Sequence, residues 1–163
     1  MKKENKKIRV GVLSDTHGIL PDKVVEHLQG CDYILHAGDV TSDWILDKLR
    51  RICRQLIVVP GNCDYDPWAF SVNHRQFFEI GGLKFLMVHD AWDVGSMLTR
   101  ADVIVHGHTH VWQNEERNGR LWFNPGSVGR PRYGAPPTFA IMEIENKQIS
   151  VEQIVLDMED IYY

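Results

Sequence analysis

Short apolar runs, each broken by a polar loop, recur through the first two thirds of the chain. Ile8-Arg-Val-Gly-Val-Leu13 is rich in β-branched residues and stops at Ser14-Asp-Thr-His-Gly18, the pattern of a buried strand feeding a loop. Pro21, tolerated in a first helical turn, opens an expected helix through Gln29. Tyr33-Ile-Leu-His36 predicts a second strand ending at Ala37-Gly-Asp39, and a helix follows from about Ser42, its expected cap, to Arg51. Leu56-Ile-Val-Val59 predicts a third strand, which also ends in a loop, Pro60-Gly-Asn-Cys-Asp64. Gln76 to Ile80 and Leu83 to Val88 flank Gly81-Gly82, a hairpin signature because glycine takes positive φ without strain. A short helix is expected near Val94 to Arg100, and Val103-Ile-Val105 leads into His106-Gly-His-Thr-His110. The last third changes character. Val111 to Glu116 and Arg120 to Phe123 bracket Asn118-Gly119, and Phe139 to Ile144 and Gln148 to Val155 bracket Glu145-Asn-Lys147, so antiparallel hairpins are expected. Strand–helix alternation followed by hairpins predicts two sheets packed face to face with helices outside, an α/β sandwich.

With 163 residues and 44% hydrophobic content, one domain spanning residues 1–163 and one substantial core are expected. No solenoid-period repeat or low-complexity tract divides it. The formal charge of −4 leaves no basic footprint for a nucleic-acid backbone, so no nucleic-acid partner is expected. Cys31, Cys53 and Cys63 are odd in number and form no C-x-x-C pair, which argues against a disulfide framework or a thiolate zinc site and fits a reducing cytoplasm. Met1 to Lys7 is basic like a signal n-region, but the apolar run behind it breaks at Ser14-Asp15, so secretion is not expected. No apolar stretch approaches the ~18 residues of a membrane span. Homo-oligomerisation is left open.

The chemistry collects where the strands end. Asp15 and His17, Asp39, Asn62, His89, and then His108 and His110 all follow predicted strands. Loops beyond the carboxyl ends of neighbouring parallel strands converge, so these side chains are expected to meet in space. Carboxylate, imidazole and one amide, without thiolate, suit divalent Mn, Fe, Co, Ni or Zn. Seven such groups exceed what one ion takes. Two ions sharing a bridging carboxylate would use them all, and two-metal sites, with ions ~3.5 to 4 Å apart, serve phosphoryl transfer.

Asp15-Thr-His17, Gly38-Asp39, Gly61-Asn62, His89 and Gly107-His-Thr-His110 resemble, in order, the blocks of the calcineurin-like metallophosphoesterase superfamily. Gly61-Asn-Cys-Asp64, Asn124-Pro-Gly-Ser-Val-Gly-Arg-Pro-Arg132 and the small size make the chain similar to the compact YfcE-like phosphodiesterase branch. The resemblance implies a four-layer αββα sandwich of two mixed sheets. It also implies a phosphodiesterase acting on a small phosphodiester or phosphate ester with two divalent ions, manganese first among them. Asp15, His17 and His110 would hold one ion and Asn62, His89 and His108 the other, with Asp39 bridging. Asp39, Asn62 and His108 are expected to be catalytic. A hydroxide bridging the ions would attack phosphorus in line, since metal coordination can lower water's pKa from about 15.7 to about 7.

Two departures stand out. Many wider relatives carry histidine after the metal-binding asparagine, whereas this chain has Cys63, a poor substitute for imidazolium in protonating a leaving group. Good leaving groups are therefore expected. Asp90 follows His89 where relatives often have glycine, and it would either bond a ligand histidine or crowd the site's mouth.

Other residues have blander readings. His36 and His106 are expected to point away from the site or support it, by strand alternation. His27 and His74 are expected to be exposed. Asp64 reads as a support for the ligating loop. Asn124-Pro-Gly-Ser127 is either a tight turn or, with Arg130, a substrate contact in which Asn124, Ser127 and Arg130 meet phosphate. The five tryptophans read as packing, with Trp68 or Trp92 the candidates to stack a base or aryl group. The rival to an enzyme is an interaction scaffold on the same fold, resembling the small retromer subunit. A metal-sensing regulator would need a nucleic-acid module that the chain does not display.

Overall fold

The computed structural model describes residues 6–162. In chain order its strands are β1 (Ile8–Leu13), β2 (Tyr33–His36), β3 (Leu56–Val58), β4 (Arg75–Ile80), β5 (Leu83–Val88), β6 (Val103–Val105), β7 (Gln113–Arg117), β8 (Arg120–Asn124), β9 (Thr138–Glu145) and β10 (Gln148–Val155). They form two five-stranded sheets, ordered β10-β9-β1-β2-β3 and β4-β5-β6-β8-β7. Both sheets are mixed. In the first, β1, β2 and β3 run parallel while β9 and β10 join antiparallel, and in the second, β5, β6 and β8 run parallel between antiparallel β4 and β7.

Alternation along the strands decides what each face meets. Val10 and Val12 of β1 and Leu35 of β2 turn toward the second sheet and pack with Phe85, Met87, Val105 and Phe123. Leu13 and Ile34 turn the other way, onto Val24 and Leu28 of α1 (Asp22–Leu28) and Ile45, Leu46 and Leu49 of α2 (Asp43–Ile52). Phe85 and Phe123 are fully buried between the sheets, where truncating either to alanine costs about 3–5 kcal/mol. The apolar residues of α2 recur at helical spacing, and Arg50 and Arg51 in its last turn suit the helix dipole. Ser42 sits at the α2 N-cap as expected, but its hydroxyl makes no capping bond.

The expected sandwich is present, with a thin fourth layer. Over the outer face of the second sheet the helix expected near Val94 to Arg100 is a 3₁₀ segment, Gly95–Arg100, preceded by a second at Ala91–Asp93, and Gly95 at φ 63° stands where the later segment begins. Val94, Met97 and Leu98 from this segment cover Leu86, Ala101 and Ile104. The hairpin turns carry paired positive φ at Gly81-Gly82, Asn118-Gly119 and Asn146-Lys147, as primed turns require. A last helix, α3 (Met158–Tyr162), was not foreshadowed by the hydrophobic pattern. Among the described residues no helix is long and apolar enough to cross a membrane.

Candidate metal centre

Six parallel strands, β1, β2, β3, β5, β6 and β8, release their loops toward one rim, and backbone bonds tie those loops together. Asp15 N–H donates to Gly38 O at 2.9 Å, His17 N–H to Asp39 O at 3.0 Å, and Gly107 N–H to His89 O at 2.9 Å. His108 N–H donates to Asp15 Oδ2 at 3.1 Å, joining the two sheets across the rim.

All seven anticipated side chains gather there. Asp15, His17, Asp39 and His110 each present a ligand atom within 4.8 Å of the others. His110 Nε2 lies 3.1 Å from Asp15 Oδ1, and His17 Nε2 lies 3.7 Å from Asp15 Oδ1 and 3.6 Å from Asp39 Oδ2. The same Asp39 oxygen is 3.3 Å from His89 Nε2, which is 3.0 Å from Asn62 Oδ1, which is in turn 3.1 Å from His108 Nδ1. Asp39 thus stands between two clusters of donors. The first is almost sealed from solvent, whereas Asn62 is exposed and the His108 side chain is 43% exposed, so access is from the second side.

The backbone that presents these groups is unusual. Asp15, His17, Asp39, His108 and His110 all have φ between 47° and 72°, a region that L-residues enter at a cost of about 1–2 kcal/mol each. Such strain persists where the surroundings over-determine it, and functional sites are where it collects. Two glycines leave room for the ligands. A Cβ on Gly61 would lie 2.2 Å from Asp39 Oδ1, and one on Gly107 would lie 2.6 Å from Asp15 Oδ2.

The histidines are oriented from behind. His89 Nδ1 faces Ala37 O at 2.7 Å and His110 Nδ1 faces the Arg130 carbonyl, so donation there leaves each Nε2 turned into the cage. Ligating histidines are commonly held this way. Burial by itself pushes Asp15 up, but His110 and His17 beside it hold its carboxyl well below the usual carboxylate range. Burial likewise opposes ionisation of Asp39, and His89 outweighs it and lowers Asp39. His89, which burial alone would depress, is raised to about 9 by Asp39 and Asp15.

These residues fit a divalent cation. Asp15 Oδ1 and His17 Nε2 are buried with no hydrogen-bond partner among the described residues, and they face each other across the first cluster. The donors are ionised carboxylate, imidazole and amide oxygen, a set suited to first-row divalent ions.

The supporting residues divide unevenly. His36 is fully buried, accepts from Gly38 N–H at Nδ1 (3.1 Å), and so turns a protonated Nε2 to Thr16 Oγ1 (3.1 Å). Burial holds its pKa down to about 3. Asp64 accepts from three backbone N–H groups, those of Asp39, Thr41 and Gly61. His27 and His74 are exposed. Asp90 is too far from His108 for a hydrogen bond, at 3.7 Å, and instead caps Trp92 N–H. Cys63 donates its N–H to Asp39 Oδ1, and burial followed by the nearby Asp39 raises its thiol, so it stays protonated.

The three anticipated substrate contacts part company. Asn124 donates to Gly107 O and Thr109 Oγ1 and accepts from Gly126 N–H. Ser127 donates to Asp15 O and accepts from Arg130 N–H. Both side chains are buried and committed to bracing the loop, whereas Arg130 is exposed. Ser14 escaped sequence reasoning although its hydroxyl donates to Asp15 Oδ2 at 2.6 Å, and its place beside Asp15 at a strand end was the available signal.

Comparison with known proteins identifies the family. The family profile described as the calcineurin-like phosphoesterase superfamily domain matches residues 8–147. The chain is 31% identical over 165 residues to the "Probable metallophosphoesterase MJ0623" of Methanocaldococcus jannaschii, covering 88% of this chain and 82% of that one. It is 27% identical over 162 residues to the phosphodiesterase YfcE of Escherichia coli strain K12, covering 80% and 84%. Among solved structures, Vacuolar Protein Sorting 29 from Cryptosporidium parvum superposes with a TM-score of 0.74 at 23% identity, covering 93% of this chain and 98% of that one, a likeness of fold.

Proposed function

The chain belongs to the calcineurin-like phosphoesterase superfamily, and on that premise we propose that it is a phosphodiesterase working with two divalent ions, manganese first among the candidates. Asp15, His17 and His110 would hold one ion and Asn62, His89 and His108 the other, with Asp39 within reach of both. The observation that carries this reading is the position of Asp39 Oδ2, 3.6 Å from His17 Nε2 and 3.3 Å from His89 Nε2, between the two donor clusters. Ions bound there would supply a lowered pKa for water and positive charge beside the phosphate oxygens.

The chain's own groups do the rest. Asp64 and the Cys63 N–H fix Asp39, and the carbonyls of Ala37 and Arg130 hold His89 and His110 in their productive tautomers. Arg130, exposed beside the loop that His110 joins, is the candidate to grip a phosphate oxygen. The protonated Cys63 thiol is a weak proton donor, so esters of acidic alcohols are favoured. The buried free thiols of Cys31 and Cys53 fit a reducing cytoplasm.

Hydrolysis of bis(para-nitrophenyl) phosphate with added Mn²⁺ tests the proposal. Asp39→Asn and His108→Ala should each lower kcat/KM at least about 100-fold. The likeness to Vacuolar Protein Sorting 29 keeps a scaffold as the second reading. Inactivity of the metal-loaded protein with every first-row divalent ion would establish that reading, and full activity in both variants would remove the site.

A further inference from the structure

A cleft of about 490 Å³ on the outer face of the second sheet takes no part in the proposed chemistry. Strand alternation creates it. Val105 and Phe123 turn inward between the sheets, so their neighbours His106 and Trp122 face outward and line the cleft with Trp92, Val94, Gln113 and Arg117. Trp122 meets His106 edge-on, with ring centroids 6.2 Å apart, and the Arg117 guanidinium lies 5.1 Å from the Trp122 ring centroid. At the rim Trp92 is 93% exposed, an indole that packs into no core.

The decisive feature is His106. It is 4% exposed, and although the Gln113 side chain lies beside it, neither ring nitrogen completes a hydrogen bond among the described residues. A neutral imidazole carries one donor and one acceptor, and burying both unpaired is a deficit that a ligand can remove. A donor–acceptor pair beneath, an open indole face at the rim and a guanidinium stacked on a second indole together suit a planar heteroaromatic ring, whose edge bonds and whose face stacks. The volume lies within the usual range for small-molecule sites.

Asp90 lies between the cleft and the metal centre. Its Oδ1 accepts from Trp92 N–H at 3.0 Å, and its Oδ2 lies 3.7 Å from His108 Nε2. His106 likewise precedes His108 by two residues. We propose that this cleft binds the base of a nucleoside esterified to the phosphate, so that the substrate class is a nucleoside phosphodiester. For turnover the inference rests on the phosphodiesterase reading; for binding it does not.

Two measurements separate those claims. In the first, adenosine, which carries no phosphate, is titrated into the protein and followed by saturation-transfer NMR, with ribose as control. Adenosine should bind saturably and ribose should not, and Trp92→Ala, a change at an exposed side chain, should weaken adenosine roughly tenfold. His106→Phe should weaken it as well while leaving the circular dichroism spectrum unchanged. In the second, the para-nitrophenyl ester of adenosine monophosphate is compared with methyl para-nitrophenyl phosphate. Trp92→Ala should raise KM for the nucleoside ester roughly tenfold at a kcat within about twofold, and leave the methyl ester unaffected. Absent adenosine binding, or binding and KM values that Trp92→Ala leaves unchanged, would overturn the inference. Adenosine binding that Trp92→Ala weakens, without turnover of either ester, would uphold the cleft and remove the phosphodiesterase reading instead.

Discussion

Replacing Asp64 with asparagine should destabilise the protein by about 3 kcal/mol and weaken metal binding, although Asp64 is not among the proposed ligands. Its Oδ2 accepts from Asp39 N–H at 2.9 Å and Gly61 N–H at 2.8 Å, and its Oδ1 accepts from Thr41 N–H at 2.8 Å. Two of those donors belong to left-handed residues, Asp39 at φ 55° and Thr41 at φ 64°, so the carboxylate clamps a strained turn. An asparagine can direct its amide oxygen at only one of the two positions. If that oxygen replaces Oδ2, its amino group meets Thr41 N–H, donor against donor, and the two surviving bonds lose their charge assistance. A hydrogen bond to a charged group contributes about 1.5–3 kcal/mol, and an unsatisfied buried donor costs about 1–3 kcal/mol, which together set the estimate. The assay is urea unfolding of the metal-free protein followed by circular dichroism, with Mn²⁺ affinity measured by calorimetry on the same samples. Loss of an outer support of this kind typically lowers metal affinity about 10–100-fold. An Asp64→Asn protein within about 0.5 kcal/mol of wild type, with unchanged Mn²⁺ affinity, would refute the reasoning.

Three further outcomes are expected. Because burial holds His36 neutral down to about pH 3 while the unfolded chain protonates it near 6.5, its stabilisation is whole above pH 6.5 and is lost as pH falls toward 3. Wild type should therefore lose about 1.4 kcal/mol per pH unit more than His36→Gln across that window, and equal slopes in acid unfolding would contradict it. His89, raised to about 9 in the metal-free protein, must shed its proton to bind an ion. Mn²⁺ affinity should accordingly rise about tenfold per pH unit from near neutrality to about pH 9 and then level off, whereas a flat calorimetric profile would exclude His89 as a ligand. Cys63→His should raise turnover of alkyl diesters relative to aryl diesters by roughly tenfold or more, as a competent general acid does. An unaltered leaving-group dependence would show that position 63 does not reach the departing oxygen.

Much of the molecule was legible along the chain, since strands and hairpins are specified locally. The alternation of Val10 and Val12 with Gly11 and Leu13, and the Gly81-Gly82 and Asn118-Gly119 turns, place their elements within a residue or two of where they lie. The candidate ligands were legible too, because loops after parallel strands have little choice but to share a rim. What the pattern could not supply was everything that depends on a partner distant in sequence. The parallel pairing of β8 with β6, and the antiparallel pairing of β9 with β1, follow from how the two sheets bury their common core. The cover that the 3₁₀ segment Gly95–Arg100 gives the outer face is a tertiary outcome. Asn124 and Ser127 read along the chain as either a tight turn or substrate contacts, and three-dimensional neighbours absorb their polar groups. The left-handed backbone at Asp15, His17, Asp39, His108 and His110 is likewise invisible in one dimension. Its strain is borne only because cross-loop hydrogen bonds, Asp64's among them, make every relaxed alternative worse. Local chemistry thus named the residues, and the packing of two sheets decided which of them face the cage, which brace it, and which, like His106, look out the other side.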